Sequence, residues 1–182
     1  MRKIPSRHPA LLLTVDTPFG LSGLAFRDNP FVLVEVILPG TGATARMEAY
    51  PPAGEVFATA TATAPAQAHR FSAMLREYFS GEPVEPPWEF LDLSGVSPLA
   101  RKVLAACSKI PWGQTASYGE LAGRIGRPKA ARFVGTALSQ NPFPVFIPCH
   151  RVVRRDGSLG GFGGGVDLKE RMLRLESASR AG

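Results

Sequence analysis

The chain has 182 residues, 45% of them hydrophobic, and a formal net charge of +6, enough to bury a core in one or two small domains. No apolar stretch is long enough to cross a bilayer, Met1-Arg2-Lys3 is followed by Pro5 and Pro9 instead of a signal-peptide pattern, and two cysteines make no disulfide framework. A soluble cytoplasmic protein (nuclear in a eukaryote) with no membrane partner is expected.

Residues 11–38 read as strands. Leu11–Val15 and Gly23–Phe26 flank the turn Thr17-Pro18-Phe19-Gly20, and Phe31–Leu38 is a third apolar run that stops at Pro39-Gly40. Residues 41–65 are rich in Ala and Thr and carry no readable pattern. Ala66–Ser80 has helical spacing, with Phe71, Met74, Leu75, Tyr78 and Phe79 as its core stripe and Gly81 as its stop. Pro83–Trp88 is a proline-rich linker, which puts a domain boundary near residues 82–95.

The second part is mostly helical. Ser97-Pro98 is an N-cap with proline at the first helical position, and the helix runs to about Lys109 before Ile110-Pro111-Trp112-Gly113 breaks it. Cys107 within it reads as a small buried hydrophobe. Ser117-Tyr118-Gly119-Glu120 is a capping box that opens a short helix to about Ile125. Gly126-Arg127-Pro128 is a tight turn, and a helix follows over Lys129–Gln140. Two short helices joined this way are a helix-turn-helix candidate, and a plain helical hairpin is the alternative. The second helix offers Ala130, Ala131, Gly135 and Ala137 where a sequence reader would carry Asn, Gln or Arg, so it permits close approach to DNA without reading bases. Charge points the same way. Residues 101–182 carry 14 Lys and Arg against 5 Asp and Glu, whereas residues 1–100 carry 7 against 10, so the second half is the part expected to meet a polyanion.

From Asn141 to Val152 the chain reads Asn-Pro-Phe-Pro-Val-Phe-Ile-Pro-Cys-His-Arg-Val. The prolines hold the residues before them extended, and Val145-Phe146-Ile147 reads as a short buried strand that delivers Cys149, His150 and Arg151 in succession. A cysteine in this frame is either a small core hydrophobe or a nucleophile presented rigidly. A neighbouring histidine lowers a thiol's pKa from about 8.5. On an extended strand, however, adjacent side chains point opposite ways, so a water or a bent backbone must relay the proton between Cys149 and His150. The histidine then needs a carboxylate, and Glu120, Asp156, Asp167, Glu170 and Glu176 all remain candidates. Downstream, Arg154-Arg155-Asp156-Gly157 reads as a hairpin turn with phosphate-facing arginines. The glycine-rich run Gly160–Gly165 lacks the Gly-Lys-Ser/Thr ending of a P-loop and reads as a place where backbone lies close to a flat ligand. Asp167-Leu168-Lys169-Glu170 caps the last helix.

From about Ser97 to Glu176, and most specifically in Asn-Pro-x-Pro followed by Pro-Cys-His-Arg, the chain resembles the O6-alkylguanine-DNA alkyltransferases (methylated-DNA–protein-cysteine methyltransferases). The resemblance implies an α+β protein with a ribonuclease-H-like strand and helix domain over residues 1–92 and a winged-helix-like domain over 93–182. It implies a single-turnover transfer of an alkyl group from O6 of guanine (or O4 of thymine) to Cys149 after base flipping, with no cofactor and no metal. The partner implied is double-stranded DNA containing O6-alkylguanine, bound by a monomer through the minor groove without sequence preference.

Residue roles follow from the same resemblance. His150 and Glu176 would activate Cys149, and Asn141 would be the hinge before the cysteine segment. Arg132 would enter the base stack, with Arg127, Arg155, Ala131 and Gly135 also at the DNA. Tyr118, Lys169, Val152, Gly160 and Gly163 would form the base pocket, Tyr118 also turning the backbone phosphate. Relatives often carry Phe-Gln early in the first helix and Trp later, where this chain has Leu99-Ala100 and Leu104. Some carry a serine in the pocket loop where this chain has Gly163, and some carry a structural zinc for which no ligand set is evident here.

Three other readings compete. A lesion-flagging protein of the same fold lacks the cysteine that stands here. A winged-helix transcription factor leaves Pro-Cys-His-Arg unexplained. A cysteine hydrolase draws its dyad from distant parts of a chain, whereas Cys149 and His150 are adjacent.

Overall fold

The computed structural model describes residues 10–40, 42–50 and 65–178. Its architecture is mixed α/β. Strands β1 (Leu11–Thr17), β2 (Gly20–Asp28) and β3 (Phe31–Ile37) form an antiparallel meander. Leu11 pairs with Phe26 and Asp28 with Phe31, and a bulge lies between Ala25 and Phe26. The expected strands are all present. The middle one is longer than its apolar run because Leu21–Asp28 completes the ladders on both sides.

Two helices cover this sheet. Helix α2 (Ala66–Phe79) lays Phe71, Leu75, Tyr78 and Phe79 against Val15, Leu24, Phe26 and Leu33. Helix α1 (Ala43–Met47), in the stretch with no readable pattern, packs Met47 on Leu12 and Ile37 of the opposite face. Most of the rest of that stretch, residues 51–64, lies outside the described residues.

The second half contains α3 (Pro98–Cys107), β4 (Ala116–Ser117), α4 (Tyr118–Arg124), α5 (Ala131–Ser139), β5 (Val152–Val153) and α6 (Val166–Ala178). Local chemistry sets their ends. The Ser97 hydroxyl accepts from the Ala100 amide at 3.3 Å, and the Ser117–Glu120 capping box closes in both directions at 2.6 and 3.1 Å. Helix α4 stops at Gly126, whose φ of +72° lets Arg127 N donate to Ala122 O at 2.8 Å. The following helix starts at Ala131, two residues later than its composition suggests, because Lys129 and Ala130 finish the turn. Arg154–Gly157 is a tight turn, with Gly157 N donating to Arg154 O at 3.0 Å. It closes no hairpin among the described residues, since β5 pairs in parallel with β4.

The largest correction concerns residues 145–151. Val145, Phe146 and Ile147 are buried as expected, yet they form a turn in which Val145 has φ of +75°, and Cys149–Arg151 is one turn of 3-10 helix. A strand is unnecessary because the Asn141 side chain does its work. Its amide donates to Ile147 O at 2.9 Å, its carbonyl accepts from Phe143 N at 3.1 Å, and Ile147 N closes on Phe143 O at 2.8 Å.

This turn is joined to the first half. Pro142 O accepts from Val36 N of β3 at 2.8 Å, and the Phe146 ring meets Phe71 of α2 edge-on at 5.2 Å. One continuous apolar core takes residues from both halves.

Candidate active site

Cys149 and His150 stand on one 3-10 turn, so the strict opposition of neighbouring side chains on a strand does not apply. Cys149 Sγ lies 3.2 Å from Asn141 Nδ2. The cysteine keeps 8% of its surface exposed, while His150 and Glu176 keep none. The sulfur therefore borders a narrow cleft. Leu138, Ser139, Asn141 and Pro144 form one wall, and Phe162, Gly163 and Gly164 another. Leu38, Ala43 and Arg46 of the first half close it.

Behind the cysteine, His150 Nε2 is 2.6 Å from Glu176 Oε1. That contact places the ring proton on Nε2, leaving Nδ1 as the acceptor, and Nδ1 is buried with no protein partner. Arg151 grips the same carboxylate. Its Nε donates to Oε2 at 2.8 Å and its Nη2 to Oε1 at 3.0 Å, while Nη1 donates to Ile110 O at 2.7 Å. Gly113 N donates to Oε2 at 3.1 Å, and the Tyr78 hydroxyl donates to Oε1 at 3.0 Å.

The electrostatics follow from this burial. Desolvation alone would push Glu176 up, but the hydrogen bonds and charges of His150 and Arg151 pull it down to about 2. Burial lowers His150 against the pull of Glu176, so the imidazole is neutral at pH 7. Burial raises the Cys149 thiol, opposed by the Asn141 hydrogen bond and the Lys169 charge. Burial also lowers Lys169, whose ammonium donates to Val152 O at 2.6 Å. The resting centre thus holds a neutral thiol and a neutral base, with a buried carboxylate and a buried cation nearby.

Tyr118 is half-buried between glycines. A Cβ on Gly160 would stand 2.2 Å from its hydroxyl oxygen, and one on Gly135 would stand 3.8 Å from its ring. Gly160 is required for the tyrosine to lie where it does. Gly163 faces open space. Val152 is fully buried.

The structure therefore brings together Cys149, His150, Glu176, Asn141, Lys169 and Val152, with Tyr118 and Gly160 adjoining. Arg127, Arg132 and Arg155 are exposed and make no contact with this centre, while Ala131 and Gly135 sit on α5 partly covered. Sequence reasoning missed Tyr78, Arg151, Arg46 and Phe162. Tyr78 is hidden among core aromatics at helical spacing. Arg151 stands in the Pro-Cys-His-Arg run, where its adjacency to His150 is the one available signal. Nothing in the Ala/Thr-rich stretch marks Arg46.

Comparison with known proteins decides the family. Residues 98–178 match the model of the 6-O-methylguanine DNA methyltransferase DNA-binding domain. A methylated-DNA–protein-cysteine methyltransferase of Mycolicibacterium paratuberculosis is 41% identical over 168 residues, covering 90% of each chain. The chain belongs to the methylated-DNA–protein-cysteine methyltransferase family. A second member, from Methanothermobacter thermautotrophicus, is 44% identical over 108 residues, 59% of this chain and 60% of its own. Among solved structures, the Mycobacterium tuberculosis O6-methylguanine methyltransferase aligns with a TM-score of 0.72 at 34% identity, over 93% of this chain and 94% of that one. The same organism's OGT in complex with DNA aligns with a TM-score of 0.68 at 35% identity, over 91% and 92%.

Proposed function

We infer that this chain repairs alkylated DNA directly, transferring the alkyl group from O6 of guanine to Cys149 in a single turnover. One observation carries the reading. The thiol borders a cleft and is held by Asn141 at 3.2 Å, while the buried imidazole behind it has a free Nδ1 and a carboxylate at 2.6 Å on Nε2. A water-linked proton path from Sγ to Nδ1 generates the thiolate, and Glu176 holds the imidazolium that results. The thiolate attacks the alkyl carbon, the carbon–sulfur bond forms, and the bond to O6 breaks with its electron pair going to guanine. Hydrogen bonds from Tyr118 and Lys169 stabilise the guanine anion that leaves, which takes up one proton at N1, absent from the O6-alkyl ether, to balance the proton that the thiol gave to His150. The product is a thioether, and a thiolate is too poor a leaving group from an alkyl carbon for water to restore the cysteine, so the protein acts once, without cofactor or metal.

DNA is the partner. We assign the finer contacts to the exposed cations of the second half, with α4 and α5 as a helix-turn-helix in a winged-helix-like unit over residues 93–182. Arg132 enters the stack as the base leaves, Ala131 and Gly135 allow the helix into the minor groove, and Arg127 and Arg155 hold phosphates. Residues 1–92 form the ribonuclease-H-like supporting unit of a cytoplasmic monomer. Apart from Arg132, α5 carries no Asn, Gln, Lys or Arg, which supports binding without sequence preference, and the cleft wall at Gly163 and Gly164 supports a flat purine.

The test is intact mass after incubation with a duplex containing one O6-methylguanine, followed by peptide mapping. One added methyl on the Cys149 peptide, saturating at one per chain, is expected. Tight binding with no mass change would instead mean a lesion-flagging protein.

A further inference from the structure

Tyr78 belongs by spacing to an aromatic core stripe, and a buried tyrosine needs only some acceptor for its hydroxyl. Here the oxygen finds two atoms of the reactive centre. It lies 3.0 Å from His150 Nε2 and 3.0 Å from Glu176 Oε1, which are themselves 2.6 Å apart. The three atoms close a triangle, and the tyrosine is the one corner supplied by the first half of the chain. Resting on the alkyl-transfer reading above, we propose that Tyr78 is a positioning residue of the proton relay, its hydroxyl setting how much of the Glu176 charge reaches His150.

Oε1 of Glu176 is shared among His150, Arg151 and Tyr78. Each further donor withdraws negative potential from the edge that faces Nε2, so the tyrosine hydrogen bond weakens the hold on an imidazolium. The charged and titratable groups facing His150 are Glu176, which favours its cation, Arg151 and Lys169, which oppose it, and the Cys149 and Tyr78 side chains. Without Tyr78 in the balance, the imidazole would stay protonated to higher pH and could not accept the thiol proton there.

Two full-length variants move this balance in opposite directions. Tyr78→Phe removes the donor. Site-specific 3,5-difluorotyrosine at position 78 keeps the shape and strengthens the donor. The readout is the rate of thioether formation with free O6-benzylguanine across pH 5–9. For Tyr78→Phe the acid limb should move up by about half a pH unit or more, and for the fluorinated residue it should move down. Limbs that superimpose on that of the unmodified chain, or rates scaled equally at every pH as a packing role would give, overturn the proposal. If Tyr78→Phe does not fold, the fluorinated variant decides alone. An unmodified chain that forms no adduct on Cys149 refutes the alkyl-transfer reading itself, whereas an adduct with an unmoved limb refutes only the role of Tyr78.

Discussion

Cys149 rests as a thiol whose burial disfavours the charged form, while Asn141 and Lys169 pull the other way. On the proposed reading, reactivity is confined to moments when a substrate fills the cleft and His150 takes the proton, and at other times the protonated thiol is a poor target for oxidants. Cys149→Ala should abolish transfer and leave binding to alkylated duplex, measured by mass and by gel shift. Asn141→Ala should do more harm than its size suggests. It frees the sulfur, Ile147 O and Phe143 N together, so unfolding free energy should drop by about 2 kcal/mol and the rate with O6-benzylguanine should fall as well. Cys149 and His150 stood out because they sit in one run of proline-framed residues, whereas Asn141 was singled out by the family resemblance, as a hinge. Glu176 was one carboxylate among five until the family resemblance selected it. Tyr78 and Arg151 escaped because their roles depend on which distant atoms they meet, and a helical period or a neighbouring letter carries no such information.

Elements place the remaining groups. Tyr118 opens α4, and Gly160 lies under its hydroxyl with no room for a methyl group. Gly160→Ala should therefore swing Tyr118 aside and slow transfer on the order of tenfold, with a smaller effect on thermal stability because the displaced atom is a side-chain tip. Arg132 stands exposed on α5, away from the sulfur. Arg132→Ala should slow reaction with duplex far more than reaction with free O6-benzylguanine, and equal losses would remove it from the DNA contact. The helix starts at Ser97 and Ser117 were read well from sequence, since such caps act over three residues, whereas the last helix already begins at Val166, so Asp167 lies inside its first turn and does not cap it. The turn at 145–151 was misread as a strand. Burial was deduced correctly from three apolar residues, but an asparagine four residues earlier satisfies the backbone that a strand partner would otherwise have served.

At the level of the whole molecule, stability against pH follows from the buried centre. Glu176 is lowered to about 2, so its contribution is present above its ordinary value near 4.5 and is lost as pH falls toward 2. His150 is also lowered, and its buried neutral form likewise loses ground as pH drops below about 6.5. The cysteines, both raised, work the other way, losing stability as pH climbs past about 9. Thermal midpoints should be highest between these limits and fall steeply below pH 5. Glu176→Gln should flatten the acid side. Affinity for DNA should fall with added salt through counterion release, less steeply once Arg127 and Arg155 are neutralised.

The hydrogen bond from Val36 to Pro142 and the ring contact between Phe71 and Phe146 have a practical reading in protein engineering. A chain severed in the exposed linker around Glu85 yields two pieces of one core, each leaving its half of the aromatic cluster in water. Neither fragment should be reactive by itself, and mixing them should restore the thioether-forming centre. Such a pair would serve as a split reporter whose covalent label appears only where its halves have met.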